Sequence, residues 1–221
     1  AALAIGSVIR PPLAPAGNVF TMFARPDPSS VMSASGPRLT GKTRLSVRPK
    51  VVLRASDAPV PELLVFAVKS YDTAKAIAEA APILGARTSV LSLQNGLGNV
   101  ERLAEAVDAR RVFAAVTPHG VTFVEPGHVE HAGVGYFRIG SPSGEAERAT
   151  AIGETLRTAG LDVEVPEAIV GEILAKVAVN AATNPLPAPT GLRHASLLAV
   201  PRRRPPDQAL RDEVPRGART R

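Results

Sequence analysis

The sequence predicts an α/β fold: a parallel sheet with helices packed on it, followed by the start of a helical second domain. Three features carry the expectation. Apolar runs of strand length alternate with helical segments between Glu62 and Gly120, the pattern of a parallel sheet with crossover helices. Residues 121–140 then alternate and turn, as short antiparallel strands do. A long helix of small apolar residues follows in "EILAKVAVNAATNPL", residues 172–186.

Taken in order, residues 1–25 contain a short apolar segment, the proline-broken "IRPPLAPAG" and the strand-like "NVFTMFAR". Residues 26–62 are rich in Pro, Ser and Arg with weak periodicity, and "VRPKVVLRA" has room for a strand or two. "ELLVFAVKS" is a continuous apolar run, which predicts a strand buried on both faces. "YDTAKAIAEAAPILGA" repeats Ala, Ile and Leu at helical spacing, with Gly85 as its stop. "RTSVLSLQNGLGN" reads as a buried strand ending in an Asn-Gly turn, "VERLAEAVDARR" as an amphipathic helix and "VFAAVTPHG" as a third strand. After the antiparallel section, "GEAERATAIGETLRTAG" predicts a helix and "LDVEVPE" a strand. The helix from Glu172 should end at the prolines 185, 187 and 189.

Composition narrows the function classes. The chain has 221 residues, a net charge of +6 and no cysteine, which removes disulfides and thiolate metal sites and fits a cytoplasmic setting. No apolar run is long enough to span a membrane. Between Leu192 and Arg221 there are eight arginines against three acids, so nearly all of the surplus charge lies in that segment. Residues 199–221, rich in Arg and Pro, are expected to be disordered. A basic tail combined with only 4% aromatic residues argues against nucleic acid as a partner. The first residues lack Met and the basic and apolar regions of a secretory leader, so the chain is expected to begin inside a longer one.

The chemistry is concentrated in the helix from Glu172. Lys176, Asn180 and Asn184 recur every four residues and so share one stripe of that helix. Taken singly, each polar residue has an ordinary explanation. A lysine snorkels from a helix edge, asparagine before proline ends a helix, and Asn95-Gly96 is a common turn dipeptide. Lys69 and Arg25 read as solvated charges at strand ends. His119, His128, His131 and His194 show no metal-ligand spacing, and no metal is expected.

Together, four stretches in this order resemble the ketopantoate reductase (2-dehydropantoate 2-reductase) family: "ALAIGS", "FAVKSYDT", "SLQNGLGN" and "EILAKVAVNAATNPL". The resemblance covers residues 1–191. It implies an incomplete Rossmann-like NADP-binding domain over residues 1–165, the start of a helical substrate domain over 166–198, and the tail. The activity it implies is NADPH-dependent reduction of 2-dehydropantoate, a 2-keto acid, to pantoate on the way to pantothenate and coenzyme A. Hydride transfer to a ketone leaves negative charge on oxygen, so a proton donor is needed beside it. By resemblance Lys176 is that general acid, and Asn95, Asn180 and Asn184 place the substrate. Gly6, Arg25, Lys69 and Asn95 contact the cofactor, and a cation at Arg25 favours the 2′-phosphate of NADPH over NADH.

The sequence departs from the family in three places. Ala1, Leu3 and Gly6 stand where the family has G-x-G-x-x-G, and leucine at the second position obstructs approach to a pyrophosphate. Pro11, Pro12 and Pro15 fall where the following helix should run, at about 3 kcal/mol each in a helix interior. The family's further helical domain has no counterpart, so a chain truncated at both ends is expected. The alternative reading is therefore an inactive remnant that at most binds a nucleotide or a partner weakly. Oligomeric state has no signature in the sequence.

Overall fold

The computed structural model describes residues 21–23, 38–43, 45–46, 50–125 and 128–183. The chain divides into two compact units, Ala1–Ile169 and Val170–Arg221. In the first unit the strands are β1 (Thr21–Phe23), β2 (Arg38–Gly41), β3 (Leu45–Ser46), β4 (Lys50–Val52), β5 (Leu63–Phe66), β6 (Ser89–Ser92), β7 (Val112–Val116), β8 (Gly120–Glu125), β9 (His128–Gly133), β10 (Phe137–Gly140) and β11 (Val163–Glu164). The helices are α1 (Thr73–Ala80), α2 (Asn99–Ala106), α3 (Ala146–Thr158) and α4 (Ile169–Thr183), the last crossing from the first unit into the second.

The principal sheet has the order β11-β10-β7-β6-β5. Its three members β5, β6 and β7 are parallel, with Val65 beside Leu91 and Leu91 beside Phe113. The two runs "SVLS" and "VFAAV" become its centre because their residues are apolar on both faces. Val90 and Val112 pack with Phe66, Ala76, Ala80 and Leu103 under α1 and α2. Leu91 and Phe113 point the other way, into Phe137, Ile139 and the Ala149, Ile152 and Leu156 stripe of α3. This two-sided burial explains why neither strand shows the polar alternation of a one-sided sheet.

Several expectations need correction. β5 packs on both faces, Leu63 and Val65 against one core cluster and Leu64 and Phe66 against the other, but less completely than expected, since only Phe66 is fully buried. β5 is the outermost strand of its sheet, with β6 as its only neighbour among the described residues. The helix expected to run to Gly85 ends at Ala80 and continues as a tighter turn over Ala81–Ile83. Pro82 is the reason, since it brings no N–H to the helical ladder. The strand expected in "LDVEVPE" contracts to Val163–Glu164.

The section 121–140 is antiparallel as expected, but it is shared between two sheets. β8 and β9 form a hairpin, and β9 also pairs in parallel with β2, giving a second sheet of order β3-β2-β9-β8. β10 leaves that hairpin to join the principal sheet antiparallel to β7, with Ile139 beside Ala115. β1 and β4 make a separate parallel pair. Where β10 ends, Gly140 faces Ile169 so closely that a Cβ there would lie 2.6 Å from the isoleucine Cβ. The absence of a side chain lets α4 start against the end of the strand. No helix among the described residues is long and apolar enough to cross a membrane.

Candidate active site

Parallel strands end together on one side of a sheet, and the loops that follow them form the usual ligand-facing edge of an α/β fold. Here the loop after β5, residues 67–72, and the loop after β6, residues 93–98, stand side by side. The second must turn sharply, and Gly96 and Gly98 do so at φ of +97° and +81°, a region that side chains strain to enter.

Hydrogen bonds stitch the two loops together. Ser92 Oγ donates to Gln94 Oε1 at 3.3 Å. Gln94 Nε2 donates to the Val68 carbonyl at 3.1 Å and to Thr73 Oγ1 at 2.7 Å. Thr73 Oγ1 donates to Asn99 Oδ1 at 3.3 Å. Asn99 Nδ2 donates to Ser70 Oγ at 3.3 Å and to the Asn95 carbonyl at 3.1 Å, and Ser70 Oγ donates to that same carbonyl at 3.1 Å. Arg102 adds a bond from its guanidinium to the Ser70 carbonyl at 3.3 Å. Thr73 and Asn99 are fully buried, so these bonds are made away from water and hold both loops in place.

Two of the expected site residues stand on this platform. Lys69 is exposed, three residues beyond the end of β5, and its carbonyl accepts from the Asp72 N–H at 2.8 Å. Asn95 is exposed as well, and the hydrogen bonds from Ser70 and Asn99 hold its main chain. The structure brings the Lys69 and Asn95 loops together. Tyr71 and Leu97, 82% and 57% exposed, project from the same two loops.

In the second unit, Lys176 and Asn180 lie one turn apart on α4 and are both half-buried. Their side chains share a face, as their spacing predicts. Burial of the Lys176 ammonium lowers its pKa from the ordinary lysine value, because desolvation penalises the charged form. Thr183 Oγ1, in the last turn, donates back to the Val179 carbonyl at 2.8 Å. Gly6, Arg25 and Asn184 lie outside the described residues.

The sequence also missed a histidine pair in the first unit. His131 is buried on β9, and its Nε2 lies 2.9 Å from Nδ1 of His119. The Gly135 N–H donates to that same Nδ1 at 3.1 Å, which makes it an acceptor. His131 therefore carries its proton on Nε2, and its Nδ1 accepts from Thr43 Oγ1 at 2.9 Å. The His119 ring also packs on Phe137 with centroids 4.9 Å apart. Twelve residues separate the two histidines, a spacing that signals nothing until the hairpin brings them together. Among the described residues no group of three or more His, Cys, Asp or Glu is placed to hold a metal ion.

Comparison with known proteins extends this picture. The chain is 37% identical over 184 residues to the 2-dehydropantoate 2-reductase of Pyrococcus horikoshii, covering 83% of this chain and 60% of that protein. It is 36% identical to the enzyme of the same name from Halobacterium salinarum, covering 81% of this chain and 58% of the relative. The chain thus spans about three-fifths of the length of these relatives. Among solved structures, 2-dehydropantoate 2-reductase from Geobacter metallireducens superposes with a TM-score of 0.87 at 23% identity, over 98% of this chain and 73% of that one. D-mandelate dehydrogenase, in a ternary structure with NADH and anilino(oxo)acetate, gives 0.79 at 21% identity over 88% of this chain and 64% of that one. Both structural matches concern the fold. The model of the family described as ketopantoate reductase PanE/ApbA matches residues 3–144, the stretch that holds β5, β6, β7 and the stitched loops, and the chain belongs to that family.

Proposed function

We propose that the chain is the greater part of an oxidoreductase that reduces a 2-keto acid, 2-dehydropantoate, to pantoate with NADPH. The observation that carries the reading is the stitched platform beyond β5 and β6, where exposed Lys69 and Asn95 stand on two loops that hydrogen bonds join. A nicotinamide nucleotide suits it on chemical grounds. Lys69 offers charge to a phosphate, Tyr71 and Leu97 offer apolar surface to a flat ring, and the Gly96 turn lets a ligand approach main chain. Gly6 and Arg25 would hold the rest of the nucleotide, Arg25 through the 2′-phosphate that distinguishes NADPH.

The nucleotide, when bound, supplies the two electrons and the hydrogen that reach the ketone carbon. The remaining work belongs to the chain's own residues. Asn180 and Asn184 would hold the hydroxyl and carboxylate of the keto acid through their carboxamides, and Asn95 would reach toward the nicotinamide and the substrate. Lys176 donates a proton from Nζ to the carbonyl oxygen as that oxygen gains charge. A lysine whose pKa burial has lowered gives up its proton more readily than a solvated one, which matches the donor to its task.

The test is a fluorescence titration of the purified chain with NADPH, repeated with NADH, followed by addition of 2-dehydropantoate. The reading expects saturable binding that is tighter for NADPH, and keto-acid-dependent oxidation that Lys176→Ala abolishes while leaving nucleotide binding intact. Binding without oxidation would leave a nucleotide-binding remnant. Binding of neither nucleotide at millimolar concentration would overturn the proposal.

A further inference from the structure

We propose that Asn99 is a positioning residue: through the main-chain carbonyl of Asn95 it sets where the Asn95 side chain stands. The inference rests on the reading of Asn95 as a substrate contact, and it concerns a residue to which that reading gives no role.

An asparagine at a helix start ordinarily sits at the cap and bonds the free N–H groups of the first turn, whereas Asn99 lies one position later, as the first residue of α2. Gly98 occupies the cap position and no side chain caps this helix. The Asn99 carboxamide points back instead and is spent on three partners, Asn95 O, Ser70 Oγ and Thr73 Oγ1. It is 2% exposed, so no water can substitute for a lost bond.

The direction of every bond in the network is determined. Val68 O and Asn95 O can only accept, which orients both carboxamides, and the hydroxyls of Ser92, Thr73 and Ser70 each have one acceptor left for their proton. Donation therefore runs from Ser92 through Gln94, Thr73 and Asn99 and ends on two carbonyl oxygens, Val68 O by way of Gln94 and Asn95 O by way of Asn99. The Asn95 oxygen takes two bonds, from Asn99 and Ser70. The peptide it belongs to leads directly into Gly96 at φ +97°, a residue with no side chain to restrict its backbone. A Cβ on Gly96 would meet nothing closer than 3.9 Å, and the nearest atoms are Ser70 Oγ and Asn99 Nδ2, the two groups that hydrogen-bond the Asn95 carbonyl. They clamp the main chain of Asn95 and leave its exposed side chain to a ligand.

A double-mutant cycle in kcat/KM separates positioning from mere support. Asn99→Ala should lower kcat/KM for 2-dehydropantoate by roughly 10- to 100-fold, the cost of misplacing a contact by about an ångström. In the Asn95→Ala background the same change should cost less than about twofold, because the residue it positions is gone. Equal losses in both backgrounds would overturn the inference and leave Asn99 a structural residue. Thr73→Ser, which keeps the hydroxyl that orients Asn99, should retain activity, whereas Thr73→Val should behave like Asn99→Ala. If Asn99→Ala does not fold, Asn99→Ser goes through the same cycle. If the wild-type chain shows no reductase activity, the reading of the site fails, and hydrogen exchange then judges the clamp. Amides of Gly96, Leu97 and Gly98 should exchange at least tenfold faster in the variant, with β6 and β7 unchanged; unchanged loop amides would overturn it.

Discussion

Acidification should expose the His119–His131 pair. Burial lowers the pKa of His119, and the neighbouring His131 adds to the effect, while the Gly133 backbone and Asp162 oppose it. The folded state therefore holds less proton on His119 than the unfolded chain between the folded pKa and the ordinary histidine value of 6.5. In that window stability rises with pH, and it is lost as pH falls from 6.5 toward the folded pKa. One site can contribute a slope of at most about 1.4 kcal/mol per pH unit. For a domain of this size that ceiling corresponds to about 3–6 °C in Tm per pH unit. The control is His119→Asn, whose Oδ1 can take the place of Nδ1 as acceptor for Gly135 and His131 without titrating. Thermal unfolding of both proteins from pH 8 to pH 5 should give curves that coincide above pH 7 and separate below 6.5, the wild type falling faster. Titrating groups that do not touch His119 are common to both chains and cancel in the difference. Parallel curves, or a steeper fall in His119→Asn, would refute the reasoning.

Three further outcomes are expected. Lys176→Met should raise Tm at pH 7, because it removes a half-buried charge. Since the lowered pKa makes the unfolded state the better proton binder below 10.5, wild-type stability should climb toward that pH and the variant's should not, as melts at pH 7–10.5 would show. Gly140→Ala should cost about 1–3 kcal/mol in a denaturant titration, as its Cβ must displace the buried Ile169 from 2.6 Å. Phe113→Ala, at the centre of the core under α3, should cost about 3–5 kcal/mol by the same measurement.

The parts of the fold that could be read from sequence are those governed by local pattern. "SVLSL" and "VFAAV" announced buried strands because each is apolar on both faces, and α3 announced itself through Ala149, Ile152 and Leu156 on one stripe. β2 was invisible. "RLTG" has no apolar run, and it is a strand only because β9 lies beside it in register, Leu39 against Val129. The place of β10 in the principal sheet was hidden for the same reason, since sheet membership is set by partners. At the site, the Asn-Gly turn and the Lys176–Asn180 spacing were legible as local signals. Ser70, Thr73 and Asn99 were not, because they sit on two loops that meet only once β5 and β6 have paired. The histidines illustrate the limit most plainly: His119 and His131 fit no ligand spacing, yet a hairpin and a turn from residue 43 make them one hydrogen-bonded unit.

The pairing of β2 with β9 also governs the order in which the chain can mature during synthesis. Arg38 and its partner His128 are 90 residues apart, which a ribosome takes about 5–20 s to cover at typical elongation speeds. Throughout that interval the β2 segment lacks its partner on that edge, and the sheet it belongs to cannot close until β9 emerges. Chaperone capture, synonymous-codon pacing and premature termination between residues 41 and 128 should all act on this one waiting strand.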